Sequence, residues 1–188
     1  VTIVPRGRAL GAAWYMPEER QITTKEQMLD EMCATLAGRA AEQLCTGHIS
    51  SGAMNDLERV TKQAYGMIAY MGMGEGLQNI CYYNTDEYSF HRPYSETTAQ
   101  LIDEDVKKMI AEQYDRACQI LSEHREQHAL LAERLVEREV VFAEDVEEIF
   151  GPRPWTSRTE ELLAADEKKQ ETEDAPENND KNIESEEV

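Results

Sequence analysis

Basic residues are scarce in this chain. Of its 188 residues, 19 are lysine or arginine and 38 are aspartate or glutamate, which gives a formal net charge of −19. A phosphate backbone attracts clustered cations and is repelled by an excess of carboxylates. We therefore expect no nucleic acid among the partners. Long apolar runs are missing too: no window of about 18 apolar residues occurs, so we expect no segment of this chain to span a bilayer.

Cysteines are few and widely separated. Cys33, Cys45, Cys81 and Cys118 form no CxxC pair. Structural zinc sites in proteins usually take closely spaced cysteine or histidine pairs. The spacing instead favours reduced cysteines, of which Cys33 and Cys118 fall on apolar faces of helical patterns.

Helical periodicity covers most of the chain. Thr24, with Gln27 three residues later, forms a capping-box pattern, and apolar residues then recur at helical spacing to Thr46 before a stop at Gly47. We predict a second helix over residues 57–71, a long pattern over 95–135 that breaks into two helices within 122–127, and a last helix over 143–150.

Extended structure is predicted only in short pieces. Residues 1–4 and 12–16 favour a hairpin or small sheet, and residues 80–83 a short strand. Beyond Trp155 apolar residues are sparse and charge is dense, so residues 156–188 should be a disordered acidic tail. The expected fold is mainly α: a helical domain over residues 1–155, with a small β element at its N-terminal end, followed by the tail.

Two motifs lie about ten residues apart. GRAAE, residues 38–42, comes late in the first helix, and SSGAMNDLER, residues 50–59, is a polar turn that opens the second. This spacing puts Asp56 at a helix start directly after a tight turn, where a fixed carboxylate could hold a metal ion. The plainer alternative is that Asp56 caps the helix by accepting unpaired backbone N–H groups.

Together with VTIVPRGRALG, residues 1–11, these motifs resemble the peptidase domain of the FtsH family, the membrane-anchored, ATP-dependent zinc metalloproteases. The resemblance covers roughly residues 1–150. It implies that Asp56 is the third protein ligand of the catalytic zinc, while two histidines and the general base come from an upstream HExxH helix. That motif is not in this sequence. We therefore expect the chain to be the C-terminal part of such a protease, inactive as a peptidase by itself.

The GRAAE motif offers a second candidate ligand, and the resemblance implies a place for the substrate. Zinc held by two imidazoles and one carboxylate keeps a position for water, whose pKa falls to about 7. Glu42 is a second candidate ligand, although it could pair with Arg39 or orient the metal site. Leu10, Gly11, Ala12 and Ala13 are candidates for binding an extended substrate along a strand edge, or they belong to an ordinary hairpin.

The intact enzyme implied by the resemblance is a homo-hexamer. An upstream AAA ATPase would unfold polypeptide substrates and thread them to the peptidase domains, anchored at the membrane with this domain on the cytoplasmic side. ATP would act only through that ATPase, because no Walker motif occurs here. The expected function is ATP-dependent proteolysis of unfolded or membrane proteins.

Two other functions stay open at this point. The chain could be a catalytically inactive helical interaction or assembly module. It could also bind metal through His124 and His128, which share a helix face, although Glu126 occupies the third place between them rather than the second place that HExxH requires. Two solvated histidines on a charged helix are the plainer interpretation.

Overall fold

The computed structural model describes residues 1–7, 9–14, 22–83 and 93–153. These residues fall into two compact units: those before residue 20 together with those after residue 139, and those between. Within the described residues there are five α-helices, and none of them is long and apolar enough to cross a membrane. The mainly α-helical class is therefore confirmed. The helices are α1 (Lys25–Thr46), α2 (Met54–Tyr65), α3 (Glu96–Glu123), α4 (Arg125–Arg138) and α5 (Ala143–Phe150).

Helix α1 has the ends that its sequence predicts. The Thr24 hydroxyl accepts the N–H of Gln27, and the Gln27 side chain accepts the N–H of Thr24, so two otherwise unpaired donors are satisfied. At the other end Gly47 adopts a φ of 72° and donates its N–H to the carbonyl of Gln43. A left-handed residue at this position favours glycine and ends the helix.

The second helix continues beyond α2 in a wider form. Residues Gly66–Tyr70 are a π-helix, in which the N–H of Met71 reaches the carbonyl of Gly66. A compact turn follows, in which Gly72 has a φ of 62° and accepts the N–H of Asn79 through its carbonyl. The N–H of Tyr82 bonds to the carbonyl of Ala69. Residues 80–83 form no strand, so that prediction is wrong: this segment is held by the helix end rather than by a neighbouring strand.

The core of the larger unit lies between α1, α2 with its π-helix, and α3. Helix α1 packs mainly on α3, and Met32, Met67 and Ile102 are almost completely buried where the elements meet. The core also includes Leu36, Val60, Ala64, Ile68, Ala69, Leu77 and Met109. A smaller cluster of Cys33, Ala40 and Ala117 continues the α1–α3 contact. Cys33 thus lies in the core, as its helical spacing predicts.

The long helical pattern is two helices, as predicted. Ser95 accepts the N–H of Thr98 at the start of α3, which ends at Glu123. His124 leaves helical geometry with φ −107° and ψ 28°, and α4 begins at Arg125. The break therefore falls inside the predicted window.

The smaller unit has isolated β-bridges and α5. Thr2 bridges Ala12 and Val140, both antiparallel, and Arg6 bridges Ala9. One more residue lies between Thr2 and Arg6 than between Ala9 and Ala12, so the ladder is interrupted and regular strands do not form in the described residues. The predicted small β element is therefore not confirmed, because the described residues of this unit have isolated bridges and no regular strand. The predicted end of α5 at Gly151 is confirmed, while the acidic tail lies outside the described residues.

Candidate metal-ligand site

Asp56 lies in the first turn of α2 and is exposed. The residue that precedes the helix is Ala53, which has no side chain able to cap it. Among the described residues, none forms a hydrogen bond or ion pair with the Asp56 carboxylate. Helix capping is therefore not what this carboxylate does in the structure. A negative charge in the first turn of a helix is nevertheless stabilised by the helix dipole.

The turn before Asp56 is tied to α1 by Glu42. One oxygen of the Glu42 carboxylate accepts the hydroxyl of Ser50 at 2.5 Å, and the other accepts the backbone N–H of Ser50 at 3.1 Å. The Ser50 oxygen in turn accepts the N–H of Gly52 at 3.1 Å, which caps the 3₁₀ turn Ser51–Ala53. This turn runs directly into α2. The late part of α1 therefore fixes where α2 begins and, with it, the backbone of Asp56.

The surroundings of Glu42 favour the ionised form of its carboxyl group, which accepts both hydrogen bonds from Ser50. The hydrogen bonds from the Ser50 side chain and backbone hold the pKa of the Glu42 carboxyl below its ordinary value of 4.5. The guanidinium of Arg39 contributes in the same direction, but it is the smallest of the causes. Glu42 therefore acts mainly through Ser50, rather than through the Arg39 ion pair that its spacing also permits.

A second link joins α1 to α2. Arg59 forms an ion pair with Glu31, and the Gln63 side-chain amide donates to the carbonyl of Met28 at 3.2 Å and to Glu31 at 3.3 Å. Glu31 and Glu42 are eleven residues apart, about three turns of helix, so both lie on the side of α1 that meets α2 and its leading turn. Glu31, Ser50 and Gln63 are not among the site residues predicted from the sequence. The spacing of the two glutamates was the available signal.

The four candidate substrate-binding residues lie in the smaller unit. Ala12 exchanges two backbone hydrogen bonds with Thr2, each 2.9 Å long. A Cβ on Gly11 would lie 2.6 Å from the Thr2 carbonyl oxygen, so this close approach requires glycine. Leu10 is 84% exposed, and Ala13 is exposed as well.

The structure does not support the alternative metal site at His124 and His128. His124 is the residue between α3 and α4, and its carbonyl accepts the N–H of His128 as an ordinary helical bond. Across the part of the chain that the structure describes, no group of three or more His, Cys, Asp or Glu side chains could hold a metal ion. Neither pair, His124 with His128 nor Glu42 with Asp56, is a complete site within these residues.

Comparison with known proteins finds one family and several relatives. Peptidase family M41 matches residues 1–149. The ATP-dependent zinc metalloprotease FtsH of Parabacteroides distasonis is 63% identical over 170 residues, which cover 89% of this chain and 25% of that protein. The protein of the same description from Karelsulcia muelleri is 49% identical over 153 residues, covering 80% and 25%. The mitochondrial inner membrane m-AAA protease component AFG3L1 of Mus musculus is 43% identical over 161 residues, covering 85% and 20%. The chain thus spans about a quarter or less of these curated relatives.

Proposed function

Because the chain belongs to peptidase family M41, we propose that Asp56 supplies the carboxylate ligand of a catalytic zinc ion in an ATP-dependent metalloendopeptidase. The observation that carries this proposal is the double hydrogen bond from Ser50 to Glu42, which fixes the turn before Asp56. A metal ligand must hold its position within a few tenths of an ångström, and a clamped turn meets that need better than a mobile loop.

The residues present fit a zinc site in their chemistry. Asp56 offers an exposed carboxylate, a donor that zinc accepts, at the start of a braced helix. When bound, the ion acts as a Lewis acid toward water and the peptide carbonyl. Asp56 contributes a negative charge and one coordination position. Glu42 positions the turn through Ser50, which makes it a positioning residue in this proposal rather than a ligand.

The substrate proposal rests on the backbone around Ala12. The N–H and the carbonyl of Ala12 both face Thr2, so in an extended segment those of Gly11 and Ala13 face the opposite side. Among the described residues none pairs with these groups. An extended polypeptide could therefore add along this edge through main-chain hydrogen bonds, a mode that tolerates many sequences. Leu10 lies at one end of the edge.

We extend the proposal to the full-length protein that contains this chain. Its substrates would be unfolded or membrane polypeptides, and it would work as a homo-hexamer whose upstream ATPase domain uses ATP. One relative described as an ATP-dependent zinc metalloprotease supports ATP dependence, and another described as a mitochondrial inner membrane m-AAA protease component supports membrane association. Residues 1–155 would form the peptidase portion and residues 156–188 an acidic tail.

The test compares two aspartates in the full-length protein. Asp56→Asn removes the proposed ligand, while Asp103→Asn removes an exposed aspartate from the surface of α3. We expect Asp56→Asn to lower both the bound zinc per protomer and the ATP-dependent cleavage of casein by at least about tenfold, with Asp103→Asn unchanged. Zinc content and cleavage that survive Asp56→Asn would refute the proposal.

A further inference from the structure

A second feature of the smaller unit is a contact between Arg6 and Trp14. The guanidinium carbon of Arg6 lies over the Trp14 ring, 5.4 Å from its centroid, within the range of a cation–π interaction. The bridges join two arms, residues 1–7 and residues 9–14. Arg6 lies in the first arm, and Trp14 lies in the second, two residues after Ala12. The contact therefore spans the two arms of the bridged segment and fixes the indole relative to its backbone.

Trp14 remains 63% exposed in spite of this contact. A large aromatic ring with a fixed orientation and much free surface is the type of side chain that dominates binding energy when a partner covers it. Where residues 12–14 are extended, as the proposed substrate edge requires, Trp14 and Ala12 share a face beside the backbone groups of Gly11 and Ala13. A small residue next to a large one leaves space above Ala12 for an incoming side chain.

We propose that Trp14 is a specificity-determining residue for the polypeptide that pairs with this edge. A large apolar or aromatic side chain of the bound segment packs on the indole, as cross-strand neighbours do in sheets. Arg6 holds the ring and places a positive charge beside it, which disfavours a lysine or arginine at the same position of the substrate. This inference rests on the proposed function, because it takes the edge beside Ala12 as the place where substrate binds.

The occupant is an extended polypeptide because the groups beside Trp14 are the backbone N–H and carbonyl groups of Gly11 and Ala13, which pair with none of the described residues. A second copy of this chain is the main competing occupant. It predicts self-association that depends on protein concentration and is lost in Trp14→Ala, with no preference among peptides. Both observations together would overturn the proposal.

The test measures peptide binding without cleavage. Full-length protein stripped of zinc by a chelator is titrated into labelled peptides that are identical except for a central Phe, Ala or Lys, and binding is followed by fluorescence anisotropy. We expect the Phe peptide to bind about three- to tenfold more tightly than the Ala peptide, and the Lys peptide most weakly. In Trp14→Ala, the ratio of the affinities for the Phe peptide and the Ala peptide should be close to one. Phe142→Ala, which removes a 67% exposed aromatic side chain from the same unit, should leave the ratio unchanged.

A second variant, Arg6→Gln, tests the proposal independently of whether Trp14→Ala folds. It keeps the indole and should selectively improve binding of the Lys peptide, with an unchanged circular dichroism spectrum. If Trp14→Ala keeps the wild-type ratio of the affinities for the Phe and Ala peptides, the proposed role of Trp14 is wrong. The proposal that peptides bind at this edge would be unaffected. Failure of every peptide to bind the wild-type protein would overturn both. Neither result depends on whether Asp56 holds zinc.

Discussion

Glu42 accepts both the hydroxyl and the backbone N–H of Ser50, and through this pair the end of α1 holds the turn that begins α2. The carboxylate that the GRAAE motif carries is thus engaged with the loop of the second motif. Because Ser50 also accepts the N–H of Gly52, the three residues form one connected chain of hydrogen bonds. Its functional consequence, in our proposal, is the fixed position of Asp56.

Removal of the Ser50 hydroxyl should weaken zinc binding without removing a ligand. In the full-length protein we expect Ser50→Ala to reduce zinc affinity by about 10- to 100-fold, the range typical of residues that orient metal ligands. Competition with a chromophoric chelator measures this. The control is Ser122→Ala, because Ser122 donates its hydroxyl to the Cys118 carbonyl on the exposed surface of α3. Equal zinc affinity in the two variants would mean that the turn does not position the metal ligand.

The same clamp predicts a pH dependence. The pKa of Glu42 is lowered in the folded state, so its contribution to stability is fully present above the ordinary value of 4.5 and is lost as the pH falls through the lower, folded-state value. The difference in unfolding midpoint between wild type and Glu42→Gln should therefore be present at pH 7 and shrink in acid below pH 4.5. Thermal unfolding followed by circular dichroism over this range tests it. Since several other carboxylates titrate in the same range, only the difference between the two proteins is informative, and a difference that grows in acid would contradict the assignment.

Two glycines should respond to alanine with opposite signs. Gly72 has a positive φ, and a Cβ there would lie 2.9 Å from the backbone nitrogens of Asn79 and Ile80, so Gly72→Ala should destabilise the chain by about 1–3 kcal/mol. Gly38 lies inside α1 with open space around it, so Gly38→Ala should stabilise the chain by about 0.5–1 kcal/mol. Denaturant unfolding measures both. Effects of the same sign would show that the turn after the π-helix is not formed as described.

Thiol reactivity should separate the cysteines. Burial raises the pKa of the Cys33 thiol, with a smaller opposing effect of the Arg116 guanidinium, while Cys45 and Cys81 are exposed. Because the thiolate is the reactive form, iodoacetamide near pH 8 should modify Cys45 and Cys81 well before Cys33. Peptide mass mapping over time gives the order. Early modification of Cys33 would contradict its place between α1 and α3.

Much of the helical structure follows from local chemistry in the sequence. The Thr24–Gln27 box, the stop at Gly47 and the end at Gly151 involve residues within one helical turn of each other, so the sequence alone predicts them. The interrupted ladder beside Thr2 depends on one additional residue in one arm, which alternation of apolar residues does not reveal. The π-helix after Tyr65 has the same apolar spacing as an ordinary helix over so short a span.

The sequence likewise predicts only part of the candidate site. The turn motif singles out Asp56, but the partner of Glu42 depends on how the loop folds back on α1, and local spacing suggested Arg39 instead of Ser50. Contacts between residues that are distant in sequence need the packing of whole helices. This is also why Gln63 and Glu31 were missed.

Crystallography of the zinc-loaded full-length protein at the zinc absorption edge would decide whether Asp56 or Glu42 binds the metal. If Asp56 is the ligand, we expect an anomalous peak about 2.0–2.2 Å from one of its carboxylate oxygens, the usual zinc–oxygen distance, with Glu42 still bonded to Ser50. A peak coordinated by Glu42, or one with Asp56 turned away into solvent, would contradict the proposed role of Asp56.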